Sequence, residues 1–166
     1  MNTKYITILC FGVILSYFMF DSSDIKVNSY NYDVTIYRDN WGVPHIYGKK
    51  DTDTVFGLAY AHSEDDFETL QDVLLALRGK LASVKGKESA AVDYLVGMLK
   101  VWEIVDKRYD SDLSKEVKDL CSAYADGVNL YMEKNPDKIV GDLYPVTGKD
   151  IAVSYTHLTL PTPPDV

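Results

Sequence analysis

Apolar and polar positions alternate over Val34-Thr35-Ile36-Tyr37-Arg38, with β-branched and aromatic side chains throughout, which predicts a strand. Asp39-Asn40-Trp41-Gly42 supplies turn formers and a glycine free to take positive φ. Pro44 restricts the residue before it to extended geometry, and His45-Ile46-Tyr47 reads as a second short strand. The two make a β-hairpin.

The period then changes from two to between three and four. Asp51 or Thr52 is the expected N-cap of a helix through Val55, Leu58, Ala59 and His62, with Asp53 near its positive end. Gly57, inside it, is expected to mark a close backbone approach. A helix beginning near Asp65 carries Phe67, Leu70, Val73, Leu74 and Leu77 and ends near Gly79. Residues 79–86, between two glycines, read as a short apolar turn. Val92, Leu95, Val96, Leu99 and Trp102 then define one amphipathic helix. The clearest helix begins near Ser111, carries Leu113, Val117, Leu120, Cys121, Tyr124, Val128, Tyr131 and Met132 on one stripe, and stops at Asn135-Pro136. Periodicity fades after Lys138 and resumes at Asp150-Ile151-Ala152.

Both ends differ in character. Lys4 precedes Tyr5 to Phe20, a run with no charged residue that includes Cys10, and polar Asp21 to Asp24 follow. The run is shorter than the roughly 20 apolar residues of a membrane span and is broken by Thr7, Gly12 and Ser16, so residues 1–23 are expected to be a secretory signal. An uncleaved anchor over residues 5–20 is the alternative. Residues 24–33 form a polar joint. At the other end, residues 153–166 are expected to be a non-native tail. The string Ser154-Tyr155-Thr156-His157-Leu158-Thr159-Leu160-Pro161-Thr162 resembles translated adapter sequence, and a proline-rich terminal loop is the alternative.

Composition is globular, with 46% hydrophobic and 25% charged residues. Seventeen Lys plus Arg against twenty-five Asp plus Glu give a net charge of -8, which argues against nucleic acid or an anionic lipid surface as a partner. With the signal removed, Cys121 is the one cysteine left, so no intrachain disulfide is expected; its place on a helical stripe favours a buried, inert thiol over a nucleophile. Three histidines, His45, His62 and His157, offer no metal-ligand spacing. His62 and Ser63 are adjacent, but neighbouring helical residues point about 100° apart and do not meet. Glu64-Asp65-Asp66 could collect a hard cation, yet acidic residues in a helix's first turn need no metal. We therefore assign no catalytic, cofactor-binding or metal-ligating residue.

The ordered segments carry more. Arg38-Asp39-Asn40-Trp41-Gly42-Val43-Pro44-His45-Ile46-Tyr47, Gly57-Leu58-Ala59-Tyr60-Ala61-His62-Ser63-Glu64-Asp65, Gly79-Lys80-Leu81-Ala82 with Gly86, and Tyr124-Ala125-Asp126-Gly127-Val128-Asn129 resemble, in order, motifs of the penicillin acylase family of N-terminal-nucleophile hydrolases. The flavour is closest to the aculeacin and acyl-homoserine-lactone acylases. Asp66 stands where that family usually has arginine, and Ala59 and Ser63 replace a glycine and an alanine.

The resemblance implies an α+β fold: a β-hairpin followed by the mainly helical α segment of an αββα Ntn-hydrolase, over residues 34–152 and incomplete here. It further implies an exported, periplasmic or secreted zymogen, cut by its own chemistry into a heterodimer with a β segment. That segment carries the nucleophile, whose own amino group accepts the proton during attack on a small acyl-amide substrate such as an antibiotic, a lipopeptide or an acyl-homoserine lactone. No cofactor is implied in this chain, and calcium is allowed in the parent enzyme. The residues present are then structural and the fragment inactive; His45 becomes a turn residue. The alternative function is a non-catalytic exported α+β interaction domain.

Overall fold

A computed structural model describes residues 30–158. The apolar run from Tyr5 to Phe20 with Cys10, most of the polar joint, and the tail after Leu158 lie outside the described residues.

Strands β1 (Val34–Arg38) and β2 (Pro44–Gly48) pair antiparallel, with Val34 opposite Gly48 and Arg38 opposite Pro44. The expected hairpin is present. Asp39 closes its turn: the Trp41 and Val43 N–H groups donate to Asp39 Oδ1 at 2.9 and 3.0 Å, and Gly42 takes φ 82°. Val34 and Ile36 alternate inward, while Tyr37, His45 and Tyr47 face outward, as a half-buried strand pair requires.

Helix α1 (Asp51–Leu77) follows, then α2 (Ala82–Lys85), a 3₁₀ turn (Lys87–Ser89), α3 (Ala90–Met98), α4 (Val101–Asp112), α5 (Lys115–Lys134), a second 3₁₀ turn (Pro136–Lys138) and α6 (Gly148–Leu158). The core is the seam between α1 and α5. Phe56, Ala59, Tyr60, Leu74 and Leu75 of α1 meet Ala123, Val128, Leu130, Tyr131 and Met132 of α5, with the hairpin on one flank and α6 on the other. Among the described residues no helix is long and apolar enough to cross a membrane.

Several boundaries differ from the sequence reading. The N-cap of α1 is Lys50, not Asp51 or Thr52; its N–H donates back to Asp53 Oδ2 at 3.1 Å, so the acidic residue three places on anchors the start. The two helices expected either side of Asp65 are continuous in space but break at Asp66, which leaves helical geometry at φ -151°, ψ 59°. Its Oδ1 accepts from Thr69 N–H at 3.3 Å, restarting the helix as an N-cap would. Leu58 and Val73, among the apolar positions of the periodic pattern, are exposed.

The single helix expected through Val92 to Trp102 is two, α3 and α4, divided where Lys100 takes the left-handed region at φ 53°. Helix α5 begins after Ser114, whose hydroxyl accepts from Val117 N–H at 3.3 Å, so Ser111 and Leu113 precede it. Its end is as expected: Asn135 caps it, donating from its side chain to the Tyr131 carbonyl at 2.9 Å. Helix α6 runs past Ala152 to Leu158 and includes His157.

Residues 30–33 are tied across the far side of α1 to α5. Tyr32 stacks on Phe56 with ring centroids 4.4 Å apart, its hydroxyl donates to Asp126 at 2.8 Å, and the Tyr30 hydroxyl donates to Glu133 at 2.7 Å.

Candidate functional site

His45, His62 and Ser63, weighed for chemistry, each have a local structural partner. His45 lies exposed on β2 with its Nε2 3.4 Å from Asp39 Oδ2, the carboxylate that closes the turn. His62 is on the solvent side of α1 with Nδ1 2.6 Å from the Tyr124 hydroxyl, whose ionisation burial disfavours. Ser63 is buried on another face and donates to the Ala59 carbonyl at 2.8 Å, so helical geometry keeps the pair apart. Cys121 is half-buried rather than enclosed, and burial pushes its thiol up, away from the thiolate that nucleophilic chemistry needs.

The acidic run after His62 is divided three ways. Arg38 Nη2 reaches Asp65 at 2.9 Å and Glu64 at 3.1 Å, while its Nη1 donates to the Gly42 carbonyl at 2.8 Å. One guanidinium thus joins the hairpin turn to α1 and pairs with two of the three acids; Asp66 caps the second half of α1. The aspartate that stands where the related motif has an arginine thus serves the backbone. Among the described residues, no group of three or more His, Cys, Asp or Glu side chains is arranged to hold a metal ion.

The densest polar constellation was not found from sequence. Arg78, just past the end of α1, donates from Nε and Nη2 to both oxygens of Asp150 at 2.7 and 2.9 Å. Its remaining N–H groups reach the carbonyls of Asp142, Leu143 and Pro145 at 3.1, 2.7 and 2.7 Å. Burial alone would push the Asp150 carboxyl up. Arg78, with the Thr147 N–H and hydroxyl, each 2.8 Å away, outweighs this and holds it below the usual carboxylate range. The arginine therefore fastens α1, the 142–147 loop and the first turn of α6 at one point.

Asn129, on α5, fastens the same loop from within. Its Nδ2 donates to the Val146 carbonyl and its Oδ1 accepts from Val146 N–H, both at 2.8 Å and buried. Asn129→Leu leaves a backbone donor and acceptor unpaired, and we expect a loss of about 2 kcal/mol in urea unfolding. The signals for these residues existed: Arg78 borders a helix-ending glycine, and Asn129 closes a motif. Their partners, 72 and 17 residues away, were not legible.

Two open clefts flank this scaffold. One, of about 420 Å³, lies between α1, α2 and the 136–140 loop, where Lys85 pairs with Asp72 at 2.8 Å and Lys138 donates to the Tyr131 hydroxyl at 2.8 Å. The other, of about 350 Å³, overlies Arg78, Trp102 and Asp150. Neither brings a nucleophile and a base together; in the first, Asp72 Oδ2 is held by Lys85 while its buried Oδ1 has no hydrogen-bond partner.

Against known proteins, the penicillin amidase family model matches residues 33–163. The chain is 28% identical over 111 residues to penicillin acylase 2 proenzyme from a Pseudomonas species, and 31% identical over 111 residues to acyl-homoserine lactone acylase QuiP from Pseudomonas fluorescens. Each match covers 67% of this chain and 14% of the relative, so the chain spans a small part of the relatives' length. Among solved structures, it superposes on a thermostable penicillin G acylase from Alcaligenes faecalis with a TM-score of 0.59 and 22% identity, over 75% of this chain and 71% of that one. This likeness carries the fold, a β-hairpin followed by a mainly helical layer, as the sequence motifs implied.

Proposed function

The chain belongs to the penicillin amidase family, and from that premise we propose that it is the N-terminal, α-segment part of an exported amide hydrolase precursor. The observation that carries this reading is the family match over residues 33–163 together with a fold whose recognisable motifs all serve packing. The Arg38 motif sets the hairpin on α1, the Gly57 motif forms the seam, and the Tyr124 to Asn129 motif brings α5 against it. In the parent, the catalytic work falls to a residue freed at the N-terminus of a later β segment. The amino group of such a residue, with an ordinary pKa of about 7.7–8.0, can take the proton of its own hydroxyl near neutral pH. Attack then transfers the acyl group from a non-peptide amide, and water releases the acid.

Substrates of this class carry an acyl group on a linear amide, as in a β-lactam side chain, a lipopeptide or an acyl-homoserine lactone. The α and β segments form the working heterodimer, outside the cytoplasm once the leader has acted.

The test is an assay with chromogenic acyl amides. The 166-residue chain is expected to give no hydrolysis above buffer, and a precursor that continues through an internal Gly-Ser, Gly-Cys or similar junction is expected to turn over. Hydrolysis by the 166-residue chain alone would overturn the assignment of chemistry to the later segment.

A further inference from the structure

We propose that residues 87–112 form a hinged lid. The first 3₁₀ turn, α3 and α4 swing as one body about Gly86 and Leu113, with the Trp102 indole as the latch, and the swing joins two clefts beside Arg78 into one groove.

The core skips this stretch. From Ala76 to Ser122 no residue is buried, whereas Leu75 before it and Ala123 after it have no exposed surface. Helix α2 stays with the body: Leu81 and Val84 pack against the core cluster, and Lys85 pairs with Asp72 at 2.8 Å. Beyond Gly86, the apolar groups Val96, Val101, Trp102, Val105 and Tyr109 are half-buried and none is enclosed. Lifting them therefore exposes less hydrocarbon than parting α1 from α5, and such an element opens at a fraction of the free energy of the whole fold. Its two roots are built to turn. Gly86 sits at φ 85°, ψ -174°, a region essentially confined to glycine, and Leu113 and Ser114 are extended between two helices. The elbow between α3 and α4 is one residue wide and bonded on both sides. Lys100 N–H donates to the Gly97 carbonyl and Ile104 N–H to the Lys100 carbonyl, both at 3.1 Å, so the bend is stiff and the two helices travel together.

What holds the lid shut is polar. Trp102 Nε1 donates at 2.9 Å to the carbonyl of Leu77, which ends α1 next to Arg78. The Leu81 and Ala82 N–H groups donate to the two Asp93 carboxylate oxygens at 2.9 Å each, and Lys149 pairs with Asp106 at 2.7 Å. Water takes the place of each partner once the lid lifts, so opening strands no polar group. Trp102 also determines what opening does. It lines the cleft of about 350 Å³ over Asp150 and a cleft of about 240 Å³ beneath the elbow, and Arg78 lines both. The indole and the guanidinium are thus the partition between them. With the indole lifted, a single groove crosses the end of α1, and the Arg78–Asp150 pair forms its floor.

Hydrogen exchange of the 166-residue chain, read by peptide mass spectrometry, tests the lid without any ligand. Amides of α3 and α4 are expected to share one protection factor, at least about a hundredfold below that of the α1–α5 seam. Trp102→Phe, which keeps a ring and removes the N–H donor, should speed exchange in both helices by about fivefold and leave the seam unchanged. Exchange in α3 and α4 as slow as in the seam would overturn the proposal, because the stretch would then open only with the whole fold. Exchange at the rate of an unstructured peptide would overturn it as well, since no closed state would exist. A Trp102→Phe effect confined to α4 would do the same, by showing two helices that fray separately. The native chain decides the first two points by itself, whatever the variant does.

Discussion

Arg78→Met is expected to lower the folding stability of this chain by about 3–5 kcal/mol, because it leaves the Asp150 carboxylate buried and unpaired. Asp150 is 2% exposed, and the carbonyls of Leu143 and Pro145 lose their donor in the same step. Arg78→Lys should recover little, since an ammonium cannot present the fork that engages both carboxylate oxygens. Adding Asp150→Asn to Arg78→Met should restore part of the loss by removing the stranded charge. Urea unfolding followed by tryptophan fluorescence measures all three, with Trp102 reporting locally through its bond to the Leu77 carbonyl at 2.9 Å.

The same pair fixes the sign of an acid effect. In the native protein Asp150 is held below its usual range, so its contribution is present above the unfolded value of about 3.9 and is lost as pH falls through the folded value. Without Arg78 the folded pKa moves up, because burial still raises it and the Thr147 N–H and hydroxyl alone oppose that. Arg78→Met should therefore lose less stability than the native chain as pH falls through the carboxylate range. A parallel acid dependence in both proteins would refute the assigned pairing.

Gly127→Ala is expected to cost about 3 kcal/mol or more, at the upper end of overpacking effects. A Cβ there would press against the backbone carbonyl oxygen of Phe56, with Ala59 Cβ at 2.8 Å and Tyr60 N at 3.2 Å. Backbone cannot rotate aside, so α1 and α5 must separate along the seam that forms the core. The gain in helix propensity, about 1 kcal/mol, does not offset this. Gly57→Ala is the informative contrast. Its Cβ would meet the Val34 and Ile46 side chains at 2.6 and 2.8 Å, so the close neighbour anticipated at Gly57 is the hairpin's hydrocarbon rather than backbone. Those groups can shift, and a smaller loss is expected. Equal losses in urea unfolding would show that the seam yields as readily as the hairpin.

These two sites also mark where sequence reading succeeds. The hairpin was legible because alternation, a turn former and a glycine agree within about ten residues. The α1 and α5 stripes were legible from period, and the stop at Asn135-Pro136 from local chemistry. What was lost depends on partners distant in sequence. The capping role of Asp93 is visible only once the Leu81 and Ala82 N–H groups are placed beside it. The division of α3 from α4 rests on one left-handed lysine, which no periodicity announces. Val117 fits the stripe of α5 yet is exposed, because the first turns of that helix project beyond the reach of α1. The candidate site followed the same rule: Arg38 was visible as a motif, whereas Arg78 acquires meaning only when the 142–147 loop and α6 return to it.

The contact between Ala59 and Gly127 has a consequence for the order of events during synthesis. The two residues stand 68 positions apart, and a ribosome adding about 5–20 residues per second needs roughly 3–14 s to supply the second after the first. For that interval Phe56, Ala59, Tyr60, Leu74 and Leu75 have no α5 to lie against. The nascent chain therefore passes through a stage with its longest helix uncovered, and holding factors have their best opportunity to bind then.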